Sequence, residues 1–193
     1  SCLLHLVRTR ECALVVAQNQ DAVEGLVLMS KFDHPGRRAG SGIASMSALL
    51  ILVQFPESAG VLFQKDAVEC CFLSVLRERS SLEHDESGLR ILVEASVGMA
   101  FLGCLDTRNL DRVPQSAVEF LICALAARTR GEGDMGLGCP RIQLLFALNV
   151  LAARDENKLQ LLQGGIVKTL IDILQNQNFG VDVVTNIEII KLC

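Results

Sequence analysis

Apolar residues in this chain come in blocks of helical length, and the polar residues separating the blocks repeat in kind. The run Asp21-Ala22-Val23-Glu24 stands before the apolar stretch Leu26-Val27-Leu28-Met29. It returns as Asp66-Ala67-Val68-Glu69 before Phe72-Leu73-Ser74-Val75-Leu76, and as Ser116-Ala117-Val118-Glu119 before Phe120-Leu121-Ile122-Cys123-Ala124-Leu125. An altered copy, Gly165-Ile166-Val167-Lys168, precedes Leu170-Ile171-Asp172-Ile173-Leu174. The starts lie 45, 50 and 49 residues apart. Self-similarity at such a period marks supersecondary units that stack on one another. An Asp or Ser followed three residues later by Glu is the signature of a capping box. Each of the first three runs therefore predicts a helix start with its first residue as N-cap. The helices behind them are apolar around much of their circumference, as helices sandwiched between neighbours must be.

The same reading predicts short helices over 11–18, 57–64 and 156–163 ahead of these starts. Longer helices are predicted over 43–54, 89–104 and 141–153, with another beginning near Val181. Polar, Gly-containing connections at 33–42, 79–88, 130–140 and 175–180 read as loops on one edge of the stack. Within the long helices a small residue recurs (Ala48, Gly98, Ala147) where helices approach closely, and Leu52, Leu102 and Leu151 recur as a core position. Each long helix then ends in a polar turn, at Pro56-Glu57, Asp106-Thr107-Arg108-Asn109 and Asp155-Glu156-Asn157.

Composition fits this picture and narrows the function. Half of the 193 residues are apolar, yet Trp and Tyr are absent, so Leu, Val, Ala and Ile carry the core. The net charge is -4 and the Lys and Arg residues are scattered, which leaves no basic field for a nucleic acid. Four of the eight cysteines, Cys70, Cys71, Cys104 and Cys123, sit in apolar helical runs and read as small hydrophobes. No C-x-x-C occurs, and His5, His34 and His84 share no ligand spacing with the cysteines, so neither a metal nor another cofactor is expected. A reduced protein inside the cell is expected, in the cytoplasm or the nucleus. No apolar run reaches transmembrane length without polar interruption, and no membrane or small-molecule partner is expected.

The stretch Ala147-Leu148-Asn149-Val150-Leu151-Ala152-Ala153, followed by Arg154-Asp155-Glu156-Asn157, a short helix, Gly164-Gly165 and a further apolar helix, resembles the armadillo repeat. The likeness is closest over 141–174 and extends in weaker form along the chain. It implies an all-α, right-handed α-α superhelix of about four three-helix repeats, truncated at both ends. In that frame 1–9 is the end of a preceding repeat, 10–55, 56–104 and 105–153 are repeats, and 154–193 is an incomplete one, all within a single domain. The short helices favour three per repeat over the two of HEAT-like units.

In the armadillo family the third helix of every repeat lines a concave groove for extended peptides or partner proteins. Importin-like members clamp the peptide backbone with an Asn near the end of that helix and place a Trp one turn earlier. The Asn positions correspond here to Leu6, Ile51, Phe101 and Val150, and the Trp positions to Ser47, Val97 and Phe146. No Asn is present, and Phe146 is the one aromatic at a Trp position; Asn149 is a residue out of register, about 100° around the helix. The resemblance thus implies a groove of Ser47, Ile51, Val97, Phe101, Phe146 and Val150, apolar in character, suited to an amphipathic helix rather than a basic localisation signal.

Enzymatic constellations are not evident. Gly131-Glu132-Gly133-Asp134-Met135-Gly136 matches G-x-G-x-x-G, but a helix precedes it where a dinucleotide site needs a strand, and its two carboxylates would repel phosphate. Cys70-Cys71 lies beside Glu69 without the electropositive setting that a reactive thiolate needs. The expectation is a non-catalytic interaction scaffold that binds a partner protein or peptide helix. The alternative is a regulatory or self-associating armadillo segment of a larger multidomain enzyme, such as a kinase or a ubiquitin ligase.

Overall fold

The computed structural model describes residues 7–30, 39–64, 66–78, 82, 84, 86–131 and 139–175. Among them the chain is all-helical, without a strand. The elements in order are α1 (Arg10–Gln18), α2 (Gln20–Ser30), α3 (Ala39–Gln54), α4 (Pro56–Gln64), α5 (Ala67–Arg77) and α6 (Glu86–Gly103). A 3₁₀ turn, η1 (Thr107–Arg112), leads to α7 (Gln115–Arg130), α8 (Arg141–Leu151), α9 (Asp155–Gln163) and α10 (Ile166–Gln175). Leu6, His5, His34, the expected loop residues 33–38, 79–81 and 132–138, and the expected helix from Val181 lie outside the described residues.

Corresponding helices pack on one another. α1 lies against α4, α2 against α5, and α7 against α10, while α3 packs on α6 and α6 on α8. Polar contacts follow the same interval. Arg10 pairs with Glu57, Ser47 with Glu94, and Arg154 with the carbonyl of Leu110, at sequence separations of 47, 47 and 44. Between α3 and α4 the chain turns by 110° at Phe55. Pro56 at the first position of α4 explains the break, because its ring disfavours helical geometry at the residue before it.

The core runs along the whole stack. Phe72, Met46, Leu49, Leu62 and Met99 are all but fully enclosed, and the recurring Leu52, Leu102 and Leu151 have no exposed surface. Ala48 and Ala147 are likewise enclosed. At Gly98 a Cβ would stand 2.5 Å from the Phe72 ring, so only a hydrogen there lets α5 and α6 approach.

Helix starts differ from the expected device. Among the described residues, neither Asp21 nor Ser116 holds the expected N-cap position. Asp66 holds the N-cap position of α5 in a left-handed conformation (φ 52°) and makes no side-chain cap bond. Its would-be partner Glu69 is buried instead, with its Oε1 2.5 Å from Arg112 Nη1 of η1. Ser116 lies inside α7 behind a Pro114 cap, and Asp21 lies inside α2. The amide of Ala22 is capped by Asn19, whose Oδ1 accepts it at 3.0 Å. Packing of the helix faces selected these starts, and the carboxylates took other roles.

The turns also became helix. Ala39–Gly42 and Glu86–Gly88 extend α3 and α6 backwards, because buried positions such as Gly42 and Gly88 offset the poor helix propensity of glycine. The Arg154-Asp155-Glu156-Asn157 turn is a clamp. Asn157, buried, donates its Nδ2 to the carbonyl of Leu151 at 2.9 Å and so satisfies an orphan group at the end of α8. Arg154 donates Nη1 to the carbonyl of Leu110 at 3.0 Å and places Nε 3.2 Å from Asp111. Gly131, first of the G-x-G-x-x-G residues, has φ 68° and closes α7 as its C-cap. Of the cysteines expected in the core, Cys71 is buried, but Cys70, Cys104 and Cys123 are exposed. Adjacent helical residues diverge by about 100°, so Cys70 and Cys71 cannot share one face.

Candidate functional site

α3, α6 and α8 are the long helices on which the expected groove residues fall, and they lie side by side. They carry all six groove residues named from the sequence, but the structure divides that set. Ile51, Phe101, Phe146 and Val150 are half-buried and present part of their apolar surface. Phe101 and Phe146 stack across the α6–α8 interface, with ring centroids 4.7 Å apart and planes inclined by 29°. Val97 has no exposed surface and Ser47 is buried, so these two are withdrawn from the groove. The cause is geometric: Val97 is enclosed between helices, and Ser47 is turned toward Glu94 on α6.

Ser47 serves a different site. Its hydroxyl meets both carboxylate oxygens of Glu94, at 2.8 and 2.9 Å. Arg90, one turn before Glu94 on α6, donates Nε to Glu94 Oε1 at 3.0 Å and Nη2 to Ser47 Oγ at 3.2 Å. Burial raises the Glu94 pKa above the usual carboxylate range, partly countered by the Ser47 hydroxyl and the Arg90 guanidinium. These groups line a pocket of about 190 Å³ together with Arg8, Leu50, Ile51, Gln54 and Gln143. The Oε1 of Gln143 is buried there without a hydrogen bond among the described residues. Burial, and next the Glu94 carboxylate, holds the Cys139 thiol far above its usual range, while Arg90 and Arg128 oppose the shift. Arg141 is lowered by burial and then by Arg128. A group of guanidiniums thus gathers around the start of α8.

A larger hollow of about 700 Å³ lies among α8, α9 and α10. Its walls are mostly aliphatic, from Leu161, Leu162, Ile166, Val167 and Leu170, and only Asn149 and Lys158 supply polar side chains. Polar groups converge at the smaller pocket, which is where orientation of a ligand is possible. Glu94 carries a legible signal in the sequence: it is the one titratable residue between Ile91 and Leu102, with Arg90 at the i−4 position. Its partnership with Ser47 crosses between helices and had no local signal.

No group of His, Cys, Asp or Glu side chains suited to a metal ion occurs among the described residues. No single described helix is long and apolar enough to cross a membrane; 41–54 and 56–64 reach that composition only together, across their 110° bend. No family model matches the chain, and neither a curated protein nor a solved structure matches it.

Proposed function

We propose that this protein is a non-catalytic interaction scaffold of the armadillo type, docking a partner protein or peptide helix on the face of its third helices. The observation that carries the reading is the arrangement of α3, α6 and α8. They lie side by side, and Ile51, Phe101, Phe146 and Val150 remain half-exposed on them. Half-buried apolar side chains on a rigid helical surface, beside a polar pocket, are the features a docked amphipathic helix would use. The recurrence of like-on-like helix contacts supports the repeat architecture behind that reading. The Arg–Glu–Ser cluster is hydrogen-bonded within itself, which favours binding over chemistry.

The test is a photo-crosslinking side chain placed at Phe146 in the intact protein, with a control at Glu119 on α7. Crosslinks from Phe146 to a discrete partner, competed by the unlabelled protein and absent at Glu119, are the expected result. Crosslinks from Phe146 solely within the chain would overturn the docking reading. They would leave a regulatory segment covered by its own polypeptide as the better account.

A further inference from the structure

We propose that the pocket between α3 and α6 is a subsite for an anionic side chain of the docked partner, held between the guanidiniums of Arg8 and Arg90. The inference rests on the docking reading above and gives that face a charge preference. It begins with Glu94. The carboxylate is buried and already accepts from Ser47 and Arg90, so it has little capacity left to recruit a cation. Arg90 is not exhausted in the same way. Nε serves Glu94 and Nη2 serves Ser47, while Nη1 makes no hydrogen bond among the described residues. Arg8 lines the same pocket, is exposed, and has no ion pair among the described residues.

Two guanidiniums therefore face one carboxylate that is already bonded, and the pocket retains an excess of positive charge. Planar guanidinium groups match carboxylate or phosphoryl oxygens and bind them more strongly than neutral donors do. Gln143 supplies the second requirement. Its buried Oε1 lacks a donor among the described residues, a state that costs free energy until one arrives. A ligand offering both an anion and a nearby N–H is an acidic or phosphorylated residue within a peptide. At about 190 Å³ the pocket holds one side chain rather than a cofactor.

The test follows the Arg90 Nε–H resonance by NMR in the intact, isotopically labelled protein. The probes are glutamate, phosphoserine and lysine, each acetylated at its amino end and methylamidated at its carboxyl end. Saturable movement of Arg90 with the glutamate or phosphoserine probe, and none with lysine, is expected. Whichever anion acts at the lower concentration identifies the source as a carboxylate or a phosphoryl group. Arg8→Gln is expected to weaken that binding about fivefold, the upper range for an exposed ion pair. An Arg90 signal unmoved by both anions, or moved equally by lysine, overturns the subsite. The two readings fail separately: crosslinking at Phe146 with a silent Arg90 removes the subsite alone, and the reverse result removes the apolar groove.

Discussion

The hydroxyl of Ser47 on α3 lies 2.8 and 2.9 Å from the two carboxylate oxygens of Glu94 on α6, in a contact that joins two helices distant in sequence. Glu94 is almost completely buried, and its second oxygen accepts from Ser47 alone among the described residues. The pair ties the stacking of α3 on α6 to one carboxylate, and it makes that interface sensitive to proton activity.

The pH dependence has a definite sign. A folded-state pKa raised above the unfolded value means that the native state binds more protons between the two. Stability from this group is therefore full at acid pH and is lost as pH rises through the folded value. Comparing urea midpoints of the wild type and Glu94→Gln at pH 5 and pH 7 isolates the term. The wild type is expected to lose more stability than the variant between pH 5 and pH 7. A parallel shift in both proteins would refute the assignment.

Ser47→Ala leaves a buried carboxylate oxygen without its donor. A loss of about 1–3 kcal/mol in unfolding free energy is expected at neutral pH. In the Glu94→Leu background the same change is expected to cost far less. A double-mutant cycle by chemical denaturation measures the coupling.

Gly98→Ala is expected to destabilise by about 1–3 kcal/mol, because its Cβ would enter the Phe72 ring and overpack a closed core. Phe72→Leu should relieve part of that cost in the double variant. Additive losses in thermal or urea unfolding would show that the contact is not the cause.

Asn157→Asp keeps size but loses the N–H that Leu151 needs. A loss of about 1–3 kcal/mol is expected for it and for Asn157→Ala alike, as a buried carbonyl goes unsatisfied. An Asp variant as stable as the wild type would mean that the end of α8 finds another donor.

Phe146→Ala removes one ring of the stacked pair at a half-exposed position. It is expected to keep the circular dichroism spectrum of the wild type and to cost about 0.5–1.5 kcal/mol of stability beyond its buried area. Binding of the partner captured at that position should weaken more than about tenfold, as for an aromatic anchor. Unchanged affinity would assign Phe146 to packing only.

Sequence alone determined the helical class, the short helices and most of the core. The short helices expected at 11–18, 57–64 and 156–163 are α1, α4 and α9 to within a residue, and Ala48, Gly98 and Leu102 occupy the close-packed positions expected of them. Those properties are written into each helix by its own apolar periodicity, which needs no knowledge of the neighbour. Tertiary structure decided the polar partnerships. Asn19 rather than Asp21 caps α2, Glu69 meets Arg112 instead of its own cap, and Ser47 turns from the groove to Glu94. The last two choices depend on how neighbouring helices are offset and rotated against one another. That offset is set by side-chain packing between helices distant in sequence, where no local pattern carries the information.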